Sequence, residues 1–291
     1  MIANDTADWR DGDILAVIPA RDEAVRLPAA LAPLHAAGVR VLVIANGCRD
    51  GTAEVARSHG ATVLETVARP GGVGAARREG MAMALTLVPQ PEMILTTDAD
   101  CTFAPMTLRS LRTALRQADA VFGRVEPDPA EFACLPLPVR LHGQLEDRYD
   151  ALVAQIEGMR ADLPWDPLPR HNQSPGALIA FRPDIYRATG GIEPVPCHED
   201  RNMAEALVRI GARIARPWDA VVQASCRLTG RAPGGMAATI AKRTRSDLSE
   251  ETRRLRMQCL RLERAISDAG RSQSGTGDLV GQPLRSARMS G

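Results

Sequence analysis

Lysine is almost absent from this chain of 291 residues: Lys242 is the only one, and arginine supplies every other strongly basic side chain. We interpret that composition as a genome-wide preference for arginine and alanine. The absence still excludes whole classes of chemistry. The sequence contains no GxxxxGK[ST] phosphate loop, and a Schiff-base enzyme would have to depend on Lys242 alone.

Paired cysteines, long apolar runs and a leader sequence are missing as well. The six cysteines are scattered and form no CxxC motif, which argues against a zinc ribbon and against a disulfide scaffold. No apolar run reaches the roughly 18 residues that a transmembrane helix needs, and residues 1–13 are too polar and acidic for a signal peptide. We therefore expect a cytoplasmic, reduced protein with no transmembrane segment.

The charge balance argues against another class of protein. A formal net charge of +1 gives no indication of an electrostatic nucleic-acid partner, so none is expected. The length is sufficient to bury a full hydrophobic core, and it fits one large domain or one domain with extensions. The oligomeric state is left open.

Strands and helices alternate in the first half of the chain. The predicted elements, beginning with a strand and alternating, are 14–20, 23–38, 39–46, 50–60, 61–67, 73–88, 93–97, 104–118 and 120–126. Strands joined by single helices form βαβ units, so we predict an α/β fold with a Rossmann-like, mostly parallel central sheet flanked by helices. Ligands of such sheets bind beyond the carboxyl ends of the strands.

The pattern changes after the last of these strands. A proline-rich segment and one amphipathic helix at 141–163 predict an insertion over residues 126–173, near the mouth of the sheet. The elements that complete the domain are a strand at 176–182, a helix at 198–211 and a strand-like segment at 212–225.

Three regions follow from these patterns. The main domain is predicted over residues 13–232. Arginine and glutamate at i,i+3 and i,i+4 spacings predict a C-terminal helical extension over residues 233–269. The tail over residues 270–291 is rich in glycine, serine and arginine, a composition typical of disorder.

Two carboxylates one residue apart follow the strand predicted at 93–97. Residues i and i+2 of an extended backbone point to the same side, so Asp98 and Asp100 are expected to face one ion at the carboxyl edge of the sheet. Hard oxygen ligands favour Mg²⁺ or Mn²⁺, and such a cation would stabilise a departing diphosphate. The alternative interpretation is that Asp100 or Thr102 caps the following helix.

Polar turns follow the first two strands. PARDEA, at 19–24, places Asp22 and Glu23 at a strand-to-helix turn. ANGCRDGT, at 45–52, contains two glycines that permit a tight turn, and Asp50 can cap the next helix. Both segments are candidates for ligand contact, with plain turns as the alternative.

The third crossover combines glycine with arginine. RPGGVGAARREG, at 69–80, places Arg69, Arg77 and Arg78 near a helix N-terminus, where an anion is favoured. The segment does not fit a dinucleotide fingerprint, because Arg77 occupies the position of the required third glycine and no ribose-binding acid ends a suitable next strand. A Rossmann dehydrogenase is therefore a poor fit.

A second acidic motif, His198-Glu199-Asp200, begins the helix predicted at 198–211. Its structural interpretation is a negative charge that complements the N-terminal end of the helix dipole. Its functional interpretation is a general base, in which Asp200 takes the proton of an attacking hydroxyl opposite a leaving group.

Taken in order, the motifs VIPARDEA, ANGCRDGT, GGVGAARREG, TTDADC, GALIAFRPDIYRATGG and HED resemble those of the GT-A fold glycosyltransferases of family 2. The resemblance covers about residues 13–230. It implies that Asp98 and Asp100, the D-x-D motif, hold Mg²⁺ or Mn²⁺ on a nucleotide-sugar diphosphate, with Asp100 as a direct ligand. It also implies that Asp200 is the base of an inverting transfer and that Glu199, in the same motif, is a second catalytic residue.

The resemblance further implies a set of donor-binding residues. These are Pro19, Ala20, Arg21, Glu23, Asn46, Gly74, Arg77, Asp98, Ala99, Asp100, Arg227 and Arg231. The last two belong to the segment 225–235, which is similar to a basic segment that closes over the diphosphate in the family.

Other side chains are candidates for further contacts. His198 is a candidate third metal ligand or acceptor contact. Trp165 and His171 lie in the 126–173 insertion, on the acceptor side, and are candidate acceptor contacts.

Departures from the family pattern leave the donor base open. Arg21 and Asp22 stand where the family commonly has an aromatic residue and an asparagine, and Ala45 and Asn46 replace a pair of aspartates. The amide of Asn46 can still hydrogen-bond a base, but uridine, guanosine and other donors all stay open.

The predicted function is a metal-dependent glycosyltransferase that moves a sugar from a nucleotide-diphosphate sugar to an acceptor hydroxyl, with inversion. Three alternatives remain. The fold also serves retaining transferases. A sugar-nucleotide nucleotidyltransferase would use a similar sheet, but it usually carries a GxGxR-type loop after the first strand and a lysine. A non-catalytic nucleotide-sugar binding protein would have a degenerate site.

Overall fold

A computed structural model describes residues 2–3, 8–68, 70–231 and 234–273. Its strands and helices, in chain order, are β1 (Ile2–Ala3), β2 (Ile14–Ala20), α1 (Leu27–Ala36), β3 (Arg40–Asn46), α2 (Thr52–Ser58), β4 (Thr62–Thr66), α3 (Gly72–Leu87), β5 (Met93–Thr97), β6 (Cys101–Phe103), α4 (Thr107–Ala114), β7 (Ala120–Phe122), β8 (Arg124–Pro127), α5 (Pro129–Ala133), α6 (Leu137–Arg160), β9 (Leu178–Phe181), α7 (Pro183–Ala188), α8 (Glu199–Arg209), β10 (Ile214–Ala215), β11 (Val221–Ala224), α9 (Met236–Arg243) and α10 (Ser249–Gln273). Arg69 lies outside the described residues. The same holds for the predicted tail from position 274 onward, whereas residues 270–273 belong to α10.

The larger of two sheets forms the centre of the molecule. Its strand order is β1-β4-β3-β2-β5-β9-β7-β10. Strands β4, β3, β2 and β5 are mutually parallel, whereas β9 runs antiparallel to both of its neighbours, β5 and β7. The predicted α/β fold with a mostly parallel central sheet is confirmed, and the carboxyl ends of β2, β3 and β5 meet at one edge.

Both faces of the sheet are covered, which explains why its strands are continuous apolar runs. Ala16 of β2 belongs to one buried cluster with Leu31 of α1, and the next residue, Val17, belongs to the opposite cluster with Met81 of α3. Gly80 allows α3 to approach closely, since a Cβ there would lie 2.4 Å from Cγ1 of Val17.

The strand predicted at 120–126 is in fact two strands in different sheets. β7 stays in the central sheet, whereas β8 joins a three-stranded sheet of order β6-β11-β8. The break occurs at Gly123, where a Cβ would lie 2.3 Å from Cδ2 of Leu178 and 3.0 Å from the carbonyl oxygen of Ala220. The chain crosses between the sheets at a point with no room for a side chain.

The small sheet also corrects the start of the helix predicted at 104–118. β6 follows the Asp98–Asp100 triplet directly, and α4 begins only at Thr107. Asp100 and Thr102 therefore do not cap that helix. The structural alternative for the paired carboxylates is removed.

Two long helices, α6 and α10, pack together beside the sheets. The α6 helix begins at Leu137, four residues before the predicted 141, because Pro138 is accommodated in its first turn. Arg243 of α9 makes two hydrogen bonds of 2.6 and 2.7 Å to Glu146 of α6, which ties the C-terminal helices to the same element. None of the described helices is both long and apolar enough to cross a membrane.

Candidate active site at the carboxyl edge of the sheet

The antiparallel strand β9 decides which residues meet at the site. Thr97, the last residue of β5, pairs with Leu178, the first residue of β9. The Thr97 hydroxyl donates to the carbonyl of Ala177 at 2.7 Å. Because β9 begins where β5 ends, Asp98 and Gly176 emerge at the same edge, although 78 positions separate them in sequence.

Arg77 of α3 connects the two acidic motifs. Its side chain is buried, and its guanidinium donates hydrogen bonds to Asp98 through Nη2 and to Glu199 through Nη1. Burial opposes the charge, but the carboxylates of Asp98, Glu199 and Asp200 outweigh that effect and raise the pKa of Arg77. The arginine therefore stays charged and holds the end of β5 against the start of α8.

Gly176 contacts both halves of this arrangement, although it is not among the site residues predicted from the sequence. A Cβ at this position would lie 2.4 Å from Nη1 of Arg77. The backbone N–H of the same residue donates to Oδ2 of Asp200 at 2.9 Å. Its position as the first residue of the strand predicted at 176–182 was the sequence signal that could have drawn attention to it.

Asp98 and Asp100 lie close together as predicted, but not on an extended strand: they belong to the turn between β5 and β6, in which the N–H of Cys101 donates to the carbonyl of Asp98 at 3.2 Å. One carboxylate oxygen of each and the Sγ atom of Cys101 lie within 4.8 Å of one another. Burial, followed by the charges of Asp98 and Glu23, raises the pKa of Asp100 to about 6, although Arg227 opposes the shift. The site therefore concentrates negative charge that a cation would relieve.

The thiol beside these carboxylates does not fit the role of a ligand for Mg²⁺ or Mn²⁺. Burial, with the charges of Asp98 and Asp100, raises the pKa of Cys101 well above its usual range, so the sulfur stays protonated at neutral pH. Mg²⁺ and Mn²⁺ prefer oxygen ligands. The donor set that fits such an ion is the pair of carboxylates.

A second arginine, Arg227, contacts other carboxylates of the site. Arg227 follows β11 and contacts both oxygens of Glu23, at 2.5 and 2.8 Å, and Oδ2 of Asp100, at 3.2 Å. Arg231 donates to the backbone carbonyl of Asp22 at 2.9 Å. The basic segment, residues 225–235, thus lies over the turn that follows β2.

Glu131 of α5 anchors the start of this segment by accepting hydrogen bonds from the hydroxyl of Ser225 and the N–H of Cys226.

The remaining predicted donor contacts line the same edge. Pro19 and Ala20 are the last residues of β2 and are buried, as is Ala99, whereas Arg21 is exposed in the turn. Asn46 ends β3, and its amide donates to the carbonyl of Gly72 at 3.3 Å. The structure brings these groups together, and their contact with a nucleotide stays a prediction.

The glycines at the start of α3 have a packing role. The N–H of Gly74 donates to the carbonyl of Val195 at 3.2 Å, and a Cβ on Gly74 would lie 2.4 Å from the carbonyl oxygen of Glu193. The loop before α8 therefore covers this helix end, where the sequence suggested an anion site. A nucleotide contact for Gly74 stays a prediction.

The second acidic motif presents two carboxylates with different surroundings. Glu199 is buried against Arg77, and burial raises the pKa of Glu199, an effect that Arg77 opposes. Asp200 is half-buried, and the N–H groups of Gly176 and Arg201 donate to its two oxygens at 2.9 and 2.8 Å. Asp200 is thus the more accessible of the two carboxylates.

His198, the predicted extra ligand, is the N-cap of α8 and adopts a left-handed backbone with φ of +65°. Its side chain is exposed, and it belongs to neither cluster of candidate ligand atoms found among the described residues. The other such cluster is Asp22, Cys48 and Asp50. The carboxylates in it accept backbone N–H groups, as in the 2.7 Å bond from Arg49 to Asp22, and so stabilise the turn.

The predicted acceptor contacts lie farther inside the molecule. His171 is buried, its Nδ1 accepts from the N–H of Gln173, and its Nε2 lies 3.1 Å from the carbonyl of Phe122. Burial, with the charge of Arg216, lowers the pKa of His171 to about 3, so the ring is neutral. Trp165 is half-buried and packs against the core. Contact with an acceptor stays a prediction for both.

Comparisons with known proteins add three findings. The sequence profile described as Glycosyl transferase family 2 matches residues 15–160. An uncharacterized glycosyltransferase of Mycobacterium tuberculosis is 37% identical over 115 residues, or 39% of this chain and 49% of that protein, so the match spans about half the length of the relative. Two solved structures share the fold at low sequence identity.

The first of these structures is the glucosyl-3-phosphoglycerate synthase of Mycobacterium tuberculosis in complex with Mg²⁺ and UDP. It is 17% identical, covers 79% of this chain and 77% of its own, and has a TM-score of 0.51. The second is TarS of S. aureus in complex with UDP-GlcNAc, which is 14% identical, covers 78% of this chain and 61% of its own, and has a TM-score of 0.51.

Proposed function

The chain belongs to glycosyl transferase family 2, and we propose that it transfers a sugar from a nucleotide-diphosphate sugar to an acceptor hydroxyl, with inversion. The observation that supports this most strongly is the convergence of two acidic motifs at the carboxyl edge of the sheet. Asp98 and Glu199 are 101 positions apart in the sequence, yet one buried arginine contacts both. Ligands of open α/β sheets bind at this edge.

In this proposal, Asp98 and Asp100 hold a divalent cation, Mg²⁺ or Mn²⁺. The two carboxylates supply hard oxygen ligands within 4.8 Å of each other, and their crowding leaves negative charge that a cation would offset. When bound, the cation would act as a Lewis acid that neutralises charge on the departing diphosphate. The structures that share the fold were obtained with Mg²⁺ and UDP or with UDP-GlcNAc, which is consistent with such a donor.

Asp200 is the proposed general base. Two backbone N–H groups fix its carboxylate at the N-terminus of α8, beside the carboxylate pair rather than within it. A carboxylate in that position would take the proton of the acceptor hydroxyl as the hydroxyl attacks the sugar. Glu199 positions Arg77 and thereby the end of β5, so we assign it a positioning role.

The proposed donor site uses the remaining groups at the edge. Arg227 and Arg231 would bind the diphosphate, since guanidinium groups match phosphate geometry. Asn46 and Glu23, at the ends of β3 and β2, would contact the nucleoside. The proposed division of the chain assigns residues 13–232 to the transferase domain and places the 126–173 insertion on the acceptor side.

A thermal-shift panel tests this proposal. UDP, GDP and other nucleoside diphosphates are added with and without Mn²⁺. A ligand at about 100 times its dissociation constant adds about 2.7 kcal/mol, or roughly 5–10 °C for a domain of this size. We expect one nucleotide to give such a shift only with Mn²⁺, and Asp100→Asn to abolish both the shift and turnover of the matching donor.

The matched control is Asp162→Asn, an equal charge change at an exposed position after α6. It should retain the shift. The proposal is wrong if no nucleotide stabilises the wild-type protein, or if Asp100→Asn binds and turns over the donor as well as wild type does. The anomeric configuration of the product, read by NMR, separates inversion from retention.

A further inference from the structure

A cavity of about 320 Å³ lies between α6 and the small sheet. Its walls include Arg124, Glu126, Phe132, Asp147, Asp150 and Trp218. This volume is at the lower end of the range for small-molecule sites, about 300–1,000 Å³. The proposed donor-binding residues do not line it, so its role is still to be assigned.

The cavity is close to the proposed catalytic edge. Pro127, on its wall, pairs with Ala224, which in turn pairs with Cys101 beside Asp100. Two strand spacings, about 10 Å, therefore separate Pro127 from Cys101.

One short segment also joins the cavity to the proposed base. Gln173 lines the cavity and accepts a hydrogen bond from the N–H of Val125 at 2.9 Å. Three residues later, Gly176 donates to Asp200. A molecule in the cavity would therefore lie beside the chain that positions Asp200.

The only arginine on the cavity wall is already paired. Arg124 forms a 2.7 Å ion pair with Glu126, and its guanidinium lies 4.1 Å from the centre of the Trp218 ring. These contacts fix the guanidinium between a carboxylate and an aromatic face. Its charge is therefore already offset by Glu126, which weakens its attraction for an anionic group of a ligand.

Two carboxylates on the same wall have no such partner. Asp147 and Asp150, one helical turn apart on α6, form no hydrogen bond or ion pair within the described part of the chain. Burial, with neighbouring carboxylates, raises the pKa of both, for Asp150 to about 6, although Arg124 opposes the rise for Asp147. The cavity thus offers hydrogen-bond acceptors and excess negative charge.

We infer that this cavity binds the acceptor, and that the group entering it carries hydroxyl or amine donors and no anionic group. The inference rests on the proposed transferase function and adds the acceptor class. Asp147 and Asp150 would accept hydrogen bonds from the ligand, while Phe132 and Trp218 supply apolar surface. A phosphorylated acceptor would add negative charge to a wall on which Glu126, Asp147 and Asp150 outnumber Arg124, which costs affinity.

Matched acceptor pairs test the inference on the full chain. Glucose is compared with glucose 6-phosphate, and glycerol with glycerol 3-phosphate, using the donor selected by the thermal-shift panel. Glucosamine serves as a cationic probe. We expect kcat/KM for nucleoside diphosphate release to be at least about tenfold higher with the neutral member of each pair, and glucosamine to perform at least as well as glucose.

Variants of the cavity sharpen the test. The ratio to follow is kcat/KM with the neutral acceptor divided by kcat/KM with its phosphorylated counterpart. The double variant Asp147→Asn/Asp150→Asn should bring this ratio toward one, and Asp150→Arg should make the phosphorylated acceptor the better substrate. Asp162→Asn should keep the wild-type ratio. A wild-type preference for phosphorylated acceptors, or a ratio that the double variant leaves unchanged, overturns the inference.

Direct binding separates this inference from the proposed function. Equilibrium binding of the same pairs is measured without donor, so the result does not depend on turnover. If no nucleotide binds with Mn²⁺ and no donor is turned over, the proposed function fails. If donor is turned over but the phosphorylated acceptors bind as well as the neutral ones, only the acceptor inference fails.

Discussion

Two acid-lined regions of this molecule handle their charge in different ways. At the carboxyl edge of the sheet, Arg77 and Arg227 each contact two carboxylates and neutralise part of the local charge. In the cavity beside α6, Arg124 pairs with Glu126, and Asp147 and Asp150 form no hydrogen bond or ion pair within the described residues. Ion pairs thus hold the acids of the first region in place, whereas Asp147 and Asp150 of the second have no such pair.

The difference shows what each region is suited to bind. Buried ion pairs impose strict geometry, because breaking one leaves an uncompensated charge. A site for a cation and a diphosphate needs that geometry. Unpaired carboxylates at a cavity wall lose hydration without a compensating partner, so a ligand that donates hydrogen bonds improves their environment. The contrast predicts that substitutions at the edge cost stability, whereas substitutions in the cavity do not.

The largest effect is expected from Arg77→Met. Asp98 and Glu199 would keep their positions without the cation that both contact, and breaking a buried pair typically costs about 3–5 kcal/mol. The free energy of unfolding, measured by urea denaturation, should fall by about that amount.

Two further variants make this result interpretable. Arg77→Lys keeps a positive charge and should fold even if Arg77→Met does not, with a smaller loss. Arg112→Met removes an exposed arginine that pairs with Glu92, and such surface pairs contribute at most about 1 kcal/mol. An equal loss for Arg77→Met and Arg112→Met would show that the edge is not organised by its buried arginine.

Gly176→Ala should have an intermediate effect. The new Cβ would lie 2.4 Å from Nη1 of Arg77, which donates to Glu199, while Nη2 of the same guanidinium donates to Asp98. Overpacking of this kind costs about 1–3 kcal/mol, and the shift would also disturb the hydrogen bond to Asp200. We expect a lower melting temperature and a fall in kcat that exceeds the change in KM for the donor.

The matched control for this variant is Gly143→Ala within α6. A Cβ there has its nearest neighbour at 3.9 Å, on Phe132, which is an ordinary contact. Replacing a helical glycine with alanine should raise stability by about 0.5–1 kcal/mol. If Gly176→Ala behaves like Gly143→Ala, the close contact with Arg77 has no energetic consequence.

Local sequence patterns predicted those parts of the site whose residues are close together in the chain. Apolar runs identified the buried strands, and the i,i+2 spacing of Asp98 and Asp100 predicted their common side. The general rule for parallel sheets then indicated the carboxyl edge. The inferences about strands succeed because an apolar run is a property of a few consecutive residues. Asp98 and Asp100 instead meet in a turn, so the strand periodicity on which their prediction rested does not explain their closeness.

Contacts between distant segments could not be predicted in the same way. Nothing in the sequence indicates that β9 runs antiparallel between β5 and β7, yet that direction brings Gly176 to the edge. The partners of Arg77 lie 21 and 122 positions away. The crossing at Gly123 was missed because residues 120–126 are apolar enough to suggest one strand, and only the tertiary contact with Leu178 divides it.

The smallest effect, and the one with the opposite sign, is expected in the cavity. The pKa of Asp150 is raised to about 6 by burial and by the charges of Asp147 and Glu146. The unfolded chain loses this proton near pH 4, so ionisation of Asp150 lowers the free energy of unfolding progressively between about pH 4 and 6. Asp150→Asn should therefore match wild type at pH 4 and exceed its stability at pH 7.5. The gain should be about 1 kcal/mol, because partial exposure screens the charge.

Urea denaturation across this pH range checks the sign as well as the size of the effect. Asp162→Asn makes the same chemical change at an exposed position and should give no pH-dependent gain. A gain for Asp150→Asn that is equally large at pH 4 would assign the effect to helix propensity rather than to charge. A loss of stability at pH 7.5 would mean that Asp150 has a stabilising partner, and the distinction between the paired edge and the unpaired cavity would then disappear.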